Sequence, residues 1–328
     1  MRRLILFVCI LTLACSLPSR ILRPTPLSPP YAATTTSQTG TSTLVETAVP
    51  APTASMPPAA TLAVDTTAFH AQVDAALARY PGDWHILVEP VGGSVLYSRQ
   101  ASSSIDVASV IKIPIAMLFF KSLEGQNLPP LKQYLAAKGI DGRTYEQLLH
   151  AMLVDSEEPA TFSLLKALED SRMDVQGTLR GWGAANTNVI LRKSTVEDIV
   201  TLIDGLYAHE LLQPEARDIV LGYMAEYTSA DDTRTGVIRK LLPCGGQFYN
   251  KRGTITAEYL AVADVALIQF PSPTGERAYV IALFAYPGGD RNITYESLVG
   301  GMQALTPIFW QAIRTQSALR DAAGCGNP

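Results

Sequence analysis

This 328-residue sequence predicts an α+β fold: one antiparallel sheet built from both chain ends, with a helical lobe inserted between them. Three observations carry that expectation. Strand-like segments stand at both ends of the globular part and do not alternate with helices, which argues against a doubly wound parallel sheet. The middle reads as mostly helical. The C-terminal third holds three strand-like runs in succession and then one long amphipathic helix. The length allows one large or two small domains, and no internal repeat is visible.

The elements follow in order. A helix over 66–80 places Phe69, Val73, Ala76, Leu77 and Tyr80 at helical spacing and stops at Pro81-Gly82. Segments 84–89 and 95–98 read as two strands of a hairpin turning at Gly92-Gly93. From Ser109 to about Gly222 the pattern is helical. Segments 248–256, 259–270 and 277–286 are the three later strands, with Gly275 marking a turn, and a helix over 294–316 closes the fold. The globular domain is therefore 66–322. The groove between sheet and lobe is the natural ligand site.

Residues 1–15 read as an export signal. Arg2 and Arg3 supply positive charge, and the apolar run 4–13 is too short for a permanent membrane span. Leu11-Thr12-Leu13-Ala14-Cys15 resembles a bacterial lipobox with Cys15 as the lipidated residue; Ala14 fits, whereas Thr12 stands where leucine is usual. Ordinary cleavage near Cys15 is the alternative. Residues 16–65 are rich in Pro, Thr, Ser and Ala, and Tyr31 is their only aromatic. Such a segment buries too little apolar surface to offset its ordering entropy, so it reads as a disordered tether, with an end-to-end distance of roughly 40 Å. The expected location is the bacterial cell envelope, lipid-anchored to the membrane.

Composition excludes several function classes. The formal charge is −4, and no basic stripe exists to neutralise phosphates, so nucleic acid is not an expected partner. His70, His85, His150 and His209 are scattered, with no H-E-x-x-H, and no C-x-x-C occurs. Neither a metal nor another cofactor is expected. G-x-S-x-G, P-loop and G-x-G-x-x-G patterns are also missing.

Two stretches carry chemistry. Ser109-Val110-Ile111-Lys112 heads a helix that is apolar nearly all round, through Ile113, Pro114, Ile115, Ala116, Met117, Leu118, Phe119 and Phe120. Serine and lysine three apart on a helix share one face. In a buried helix the lysine must find a partner, lose its charge or snorkel to the surface; once neutral, it can accept the serine's proton. S-x-x-K alone is a weak signal, and Ser163-Leu164-Leu165-Lys166 matches it too. That second match sits on a helix already explained by packing. The other stretch, Lys251-Arg252-Gly253-Thr254, lies in a strand whose lysine suits an anionic substrate group.

In order and surroundings these motifs resemble those of the class A serine β-lactamases and their penicillin-binding relatives, over about residues 66–316. S-x-x-K is Ser109 to Lys112, S-D-N reads Ser156-Glu157-Glu158, and K-T-G reads Lys251-Arg252-Gly253. The resemblance implies the β-lactamase/transpeptidase fold. It implies that Ser109 is a nucleophile, Lys112 its base or relay, Ser156 the proton donor to the leaving nitrogen, and Lys251 the electrostatic partner of Ser156 and a substrate carboxylate. Glu158, Arg252, Gly253 and Thr254 would line the substrate, with the backbone N–H groups of Ser109 and Thr254 as oxyanion hole. The implied ligand is a β-lactam or peptidoglycan-type peptide, and a monomer is expected.

Three departures bear on turnover. Glu158 replaces an asparagine, and an ionised carboxylate only accepts hydrogen bonds; it can pair with Lys112 and keep it charged. Arg252 replaces a threonine and either crowds the groove or turns to solvent. Segment 181–191 holds no Asp or Glu where class A enzymes carry a deacylating glutamate; it looks more like the loop of D-alanyl-D-alanine peptidase-type relatives. Glu197 and Asp198 read as ordinary acids of a helix N-terminus. The alternatives are a peptidase-like or esterase-like enzyme, or a tethered binding domain without catalysis. Cys9 belongs to the signal. For Cys244 and Cys325 two free thiols are the alternative by composition, but because the last helix runs back beside the sheet a disulfide between them is expected.

Overall fold

The computed structural model describes residues 64–226 and 234–319. The expected signal at 1–15, nearly all of the tether at 16–65, and residues 320–322 and Cys325 lie outside the described residues. The elements run α1 (Thr66–Arg79), β1 (Asp83–Pro90), β2 (Tyr97–Arg99), β3 (Ile105–Asp106), α2 (Lys112–Leu123), α3 (Leu131–Leu135), α4 (Tyr145–Leu153), α5 (Glu158–Ser171), α6 (Val175–Gly181), β4 (Lys193–Ser194), α7 (Val196–Tyr207), α8 (Pro214–Glu226), β5 (Gln247–Ile255), β6 (Ala261–Ser272), β7 (Gly275–Tyr286) and α9 (Tyr295–Gln316). Two 3₁₀ helices, Ala108–Ile111 and Arg234–Lys240, also lie among the described residues.

Strands from both chain ends form one antiparallel sheet in the order β2-β1-β7-β6-β5. The pairing of β1 with β7, with Ile86 opposite Leu283, is the join between the N- and C-terminal parts. The strands alternate with period two, and each face finds a different partner. Trp84, Ile86 and Val88 of β1, Ile281 and Leu283 of β7, and Val262 and Ile268 of β6 join Phe69 and Val73 of α1 and Phe309 and Ile313 of α9 in one core. The intervening residues Leu87, Val280, Ala282, Val265 and Leu267 face the helical lobe, in a second core with α2, α4, α5 and α7. Helices thus cover both faces of the sheet. α9 comes close enough that a Cβ on Gly301 would stand 2.5 Å from the Trp84 ring, so only glycine fits there.

In the lobe, α2 is the central helix, buried without interruption from Lys112 to Phe120. Pro114 falls in its first turn, where a missing N–H costs little. α4 begins with a reciprocal cap between Thr144 and Gln147. The two-residue strands β3 and β4 pair as Ile105 with Ser194 and Asp106 with Lys193. No periodicity can announce strands so short. They tie the segment before Ser109 to the far end of the 181–191 loop.

Cys244, just before β5, is disulfide-bonded, with its partner outside the described residues. Cys325 is the partner proposed from topology. A form beginning after Cys15 should then show no titratable thiol when denatured without reductant, and two only after reduction. Reduction should cost up to a few kcal/mol of stability for a loop of about 80 residues; two thiols before reduction would exclude the bridge.

Candidate active site

Ser109 lies in a 3₁₀ turn, with the α-helix beginning only at Lys112. This changes the expected helical pairing in detail. In a 3₁₀ turn residues i and i+3 eclipse, which aligns hydroxyl and amine more directly than an α-turn does. Lys112 Nζ lies 3.2 Å from Ser109 Oγ. It donates to the Ser156 carbonyl at 2.6 Å and stands 3.2 Å from Ser156 Oγ. Lys251 Nζ, from β5, donates to the same Ser156 Oγ at 2.9 Å. Both lysines are fully buried, so Lys112 does not snorkel. The two ammonium groups meet one hydroxyl where water does not reach them.

The segments around the two serines are locally strained. Ala108 (φ 48°) and Ser156 (φ 60°) occupy the left-handed region, at roughly 1–3 kcal/mol each. Asp106 supports the first: its carboxylate accepts the Ala108 N–H at 2.9 Å and the Tyr259 hydroxyl, while its carbonyl accepts the Tyr286 hydroxyl. The turn that carries Ser109 is thereby fastened to β7 and to the β5–β6 turn.

Glu158 opens α5 and places Oε1 2.7 Å from Lys112 Nζ. Its Oε2 accepts from Arg192 Nη2 in a very short contact. Arg192 ends the 181–191 loop, and that loop is held from beneath by Asp198. Asp198 is buried, accepting from the Asn186 backbone N–H (2.7 Å), the Asn186 amide (3.2 Å) and the hydroxyls of Thr187 (3.1 Å) and Thr195 (2.9 Å). It is therefore not an ordinary helix-terminal acid. The Thr195-x-x-Asp198 spacing signals the cap that forms, with the Asp198 N–H donating to Thr195 Oγ1 at 3.0 Å. Nothing local signals the loop contacts, nor the role of Arg192.

Strand alternation sorts the β5 residues. Lys251 and Gly253 face the lobe, and a Cβ on Gly253 would lie 2.8 Å from Ala108 Cβ and 2.9 Å from the Ser109 nitrogen. Only the absence of a side chain lets β5 reach the turn that carries Ser109. Arg252 and Thr254 point the other way. The expectation that Arg252 lines the substrate groove, or else turns to solvent, is corrected: its side chain is 10% exposed, with Nε 3.9 Å from buried Asp264, its register partner. Thr254 Oγ1 accepts from Arg234 Nη2 at 2.9 Å on that same face, which leaves only its backbone for the groove. The second S-x-x-K is a surface feature: Ser163 bonds Asp141 at 3.1 Å, and half-exposed Lys166 pairs with Asp170 at 2.5 Å.

A profile of the family described as "Beta-lactamase enzyme family" matches residues 68–298. The chain belongs to that family. It is a serine hydrolase of β-lactamase type. Among solved structures, it resembles a β-lactamase from Sphaerobacter thermophilus at 19% identity and TM-score 0.60, covering 78% of this chain and all (100%) of that one. A β-lactamase from Burkholderia vietnamiensis matches at 18% identity and TM-score 0.59, over 74% of this chain and 96% of that one. One from Xanthomonas campestris pv. campestris matches at 14% identity and TM-score 0.60, over 76% and 98%. At such identities the likeness shows the fold. A search of curated proteins finds no match.

The electrostatics follow from burial. Burial lowers the Lys112 ammonium below its ordinary range, against the pull of the Glu158 hydrogen bond. Burial raises the Glu158 carboxyl, but its bonds to Lys112 and its attraction to Arg192 outweigh that, leaving it lowered and ionised. Burial, reinforced by the charge of Lys112, brings Lys251 down to about 7. Near neutral pH the site can therefore both hold and release protons. Among the described residues no cluster of His, Cys, Asp and Glu suits a metal ion.

Two expectations follow. Gly253→Ala should displace β5 from the Ser109 amide and slow any acylation of Ser109 at least tenfold, read as a labelling time course, since misplacement of about 1 Å costs roughly 10²-fold. Lys251 sets a pH dependence of stability. Its folded value is depressed, so between about 7 and its ordinary 10.5 the unfolded chain holds the extra proton. Stability then rises with pH across that window. Lys251→Met should be most stabilising relative to the parent below pH 7 and lose that advantage by pH 10. Melting curves check this, and a pH-independent difference would contradict the assignment.

Proposed function

We propose that the protein is an exported acyl-enzyme hydrolase whose Ser109 is acylated by β-lactams or peptidoglycan-type peptides. The observation that carries this reading is the continuous chain from Ser109 Oγ through Lys112 Nζ and Ser156 Oγ to Lys251 Nζ, with links of 3.2, 3.2 and 2.9 Å. Ser109 Oγ attacks the carbonyl carbon while its proton passes to Lys112 in its neutral form. The backbone N–H groups of Ser109 and Thr254 receive the oxyanion. Ser156, replenished by the lysines, gives a proton to the departing nitrogen. Lys251, still partly charged at neutral pH, attracts the substrate carboxylate.

Deacylation is the weak step in this reading. It needs a base beside a water. The 181–191 loop has no acid, and both oxygens of Glu158 are engaged by cations. A carboxylate so paired is a poor base. The acid-free loop also favours a second reading, a D-alanyl-D-alanine peptidase-like enzyme acting on cell-wall peptides. Export, lipid attachment at Cys15 and a monomeric state are part of the proposal and rest on the sequence alone.

Labelling with a fluorescent penicillin tests the central claim. The parent should give a stable band on a denaturing gel and a burst with a chromogenic cephalosporin. Ser109→Ala should abolish the band, and Ser163→Ala should keep it. Steady turnover at about 10 per second or more would show that a base is present after all. Labelling that survives Ser109→Ala would remove the nucleophile, and no labelling of the parent would favour a different ester substrate or a binding domain.

A further inference from the structure

Arg192 is held beside Ser109 at two separate points, and in a strained backbone conformation. Its carbonyl accepts the Val107 N–H at 3.0 Å, two residues before Ser109. Its guanidinium holds Glu158 through Nη2 alone. Its backbone stands in the left-handed region (φ 55°), a conformation that side-chain-bearing residues adopt only where surroundings impose it. Among the described residues Nε and Nη1 make no hydrogen bond, and the side chain keeps 32% of its surface exposed.

Charge gives this placement a direction. Along the chain Lys251–Ser156–Lys112–Glu158–Arg192, three basic side chains face one acid. Arg192 also disfavours the charge on Lys112, which favours the neutral form that takes the Ser109 proton, and the cationic surplus is one that an incoming anion would balance. The other acids nearby are engaged: Glu157 binds Arg143 at 2.9 Å, Asp155 lies 3.4 Å from His150, and Asp106 takes the Tyr259 hydroxyl. Lys251 and Arg192 stand at the two ends of the chain, with Ser109 attached at Lys112 between them. Ser156 and Lys251 serve the leaving nitrogen, so the Arg192 end belongs to the acyl portion.

We propose that Arg192 is a specificity-determining residue that receives an acidic group on the acyl side of the substrate. The preferred ligands are then dianions, with one carboxylate toward Lys251 and a second toward Nε and Nη1 of Arg192. A guanidinium already fixed on one carboxylate keeps a planar edge for another at little further cost in side-chain entropy. The inference rests on acylation of Ser109.

The test compares two penicillins that differ by one acyl-side carboxylate, benzylpenicillin and its α-carboxy analogue carbenicillin. The full chain is used as parent, Arg192→Ala and Arg192→Lys. The quantity read is the ratio of second-order acylation rates, which general damage to the fold does not move. The carbenicillin-to-benzylpenicillin ratio should fall about tenfold in Arg192→Ala, the loss expected of one charge-assisted contact, and less in Arg192→Lys. In the parent it should also fall as salt rises from about 0.05 to 0.5 M, a measurement that needs no variant to fold. A ratio unchanged by Arg192→Ala, or by salt in the parent, would overturn the role of Arg192 while leaving Ser109 as nucleophile. Failure of both compounds to acylate the parent would overturn the functional reading and this inference with it.

Discussion

Two buried ammonium groups converge on one serine hydroxyl, and much of the surrounding structure exists to make that tolerable. Lys112 comes from the central helix of the lobe and Lys251 from the edge strand of the sheet, so neither part of the fold has the site alone. Removing an ammonium from water costs several kcal/mol even after relaxation. The cost is met here by the Ser156 hydroxyl and carbonyl, by Glu158, and by loss of protons near neutral pH. Sheet and lobe must therefore be held at a fixed separation, because a gap would admit water and return both lysines to their ordinary ionisation.

That separation is set by Gly253. Its missing side chain lets β5 come against the backbone of Ser109, while the same strand turns Arg252 and Thr254 toward Asp264 and Arg234 on the other side of the sheet. Arg234 in turn donates to the carbonyls of Gly253 and Ala263 at 3.2 and 2.8 Å, clamping the edge strand to its neighbour. The strand's two faces thus do different work: one carries charge into the groove, and the other anchors the strand to the 3₁₀ helix at Arg234–Lys240. A groove wall fixed from behind can position Lys251 without spending groove-side residues on support.

The 181–191 loop answers a similar constraint without catalytic acids of its own. Asp198 gathers its backbone and hydroxyl donors from below, and β3–β4 pairing joins its end to the segment before Ser109. The acid that enters the groove comes from α5 as Glu158, and the loop contributes the opposite charge as Arg192. The acid at the site is thus the one the sequence offered, Glu158 paired with Lys112, whereas Arg192 is a cation that no motif announced.

Much of the architecture was legible in the sequence because it rests on local periodicity. The strand-like segments 84–89, 248–256, 259–270 and 277–286, and the helical spacing in 66–80 and 294–316, correspond to β1, β5, β6, β7, α1 and α9 within a few residues. Ser109, Lys112, Ser156 and Lys251 were legible as types at a spacing, and the structure brings all four together. The sequence also determined which acids the loop lacks. Only the tertiary structure decided which way β5 faces, and so removed Arg252 from the groove, because a one-residue change of register would exchange every side chain between faces. It alone decided that Ser109 sits in a 3₁₀ turn, that Asp198 is an anchor, and that Arg192 meets Glu158 across 34 residues of chain. Those outcomes depend on contacts between distant segments, and a sequence pattern carries only the preferences of neighbours.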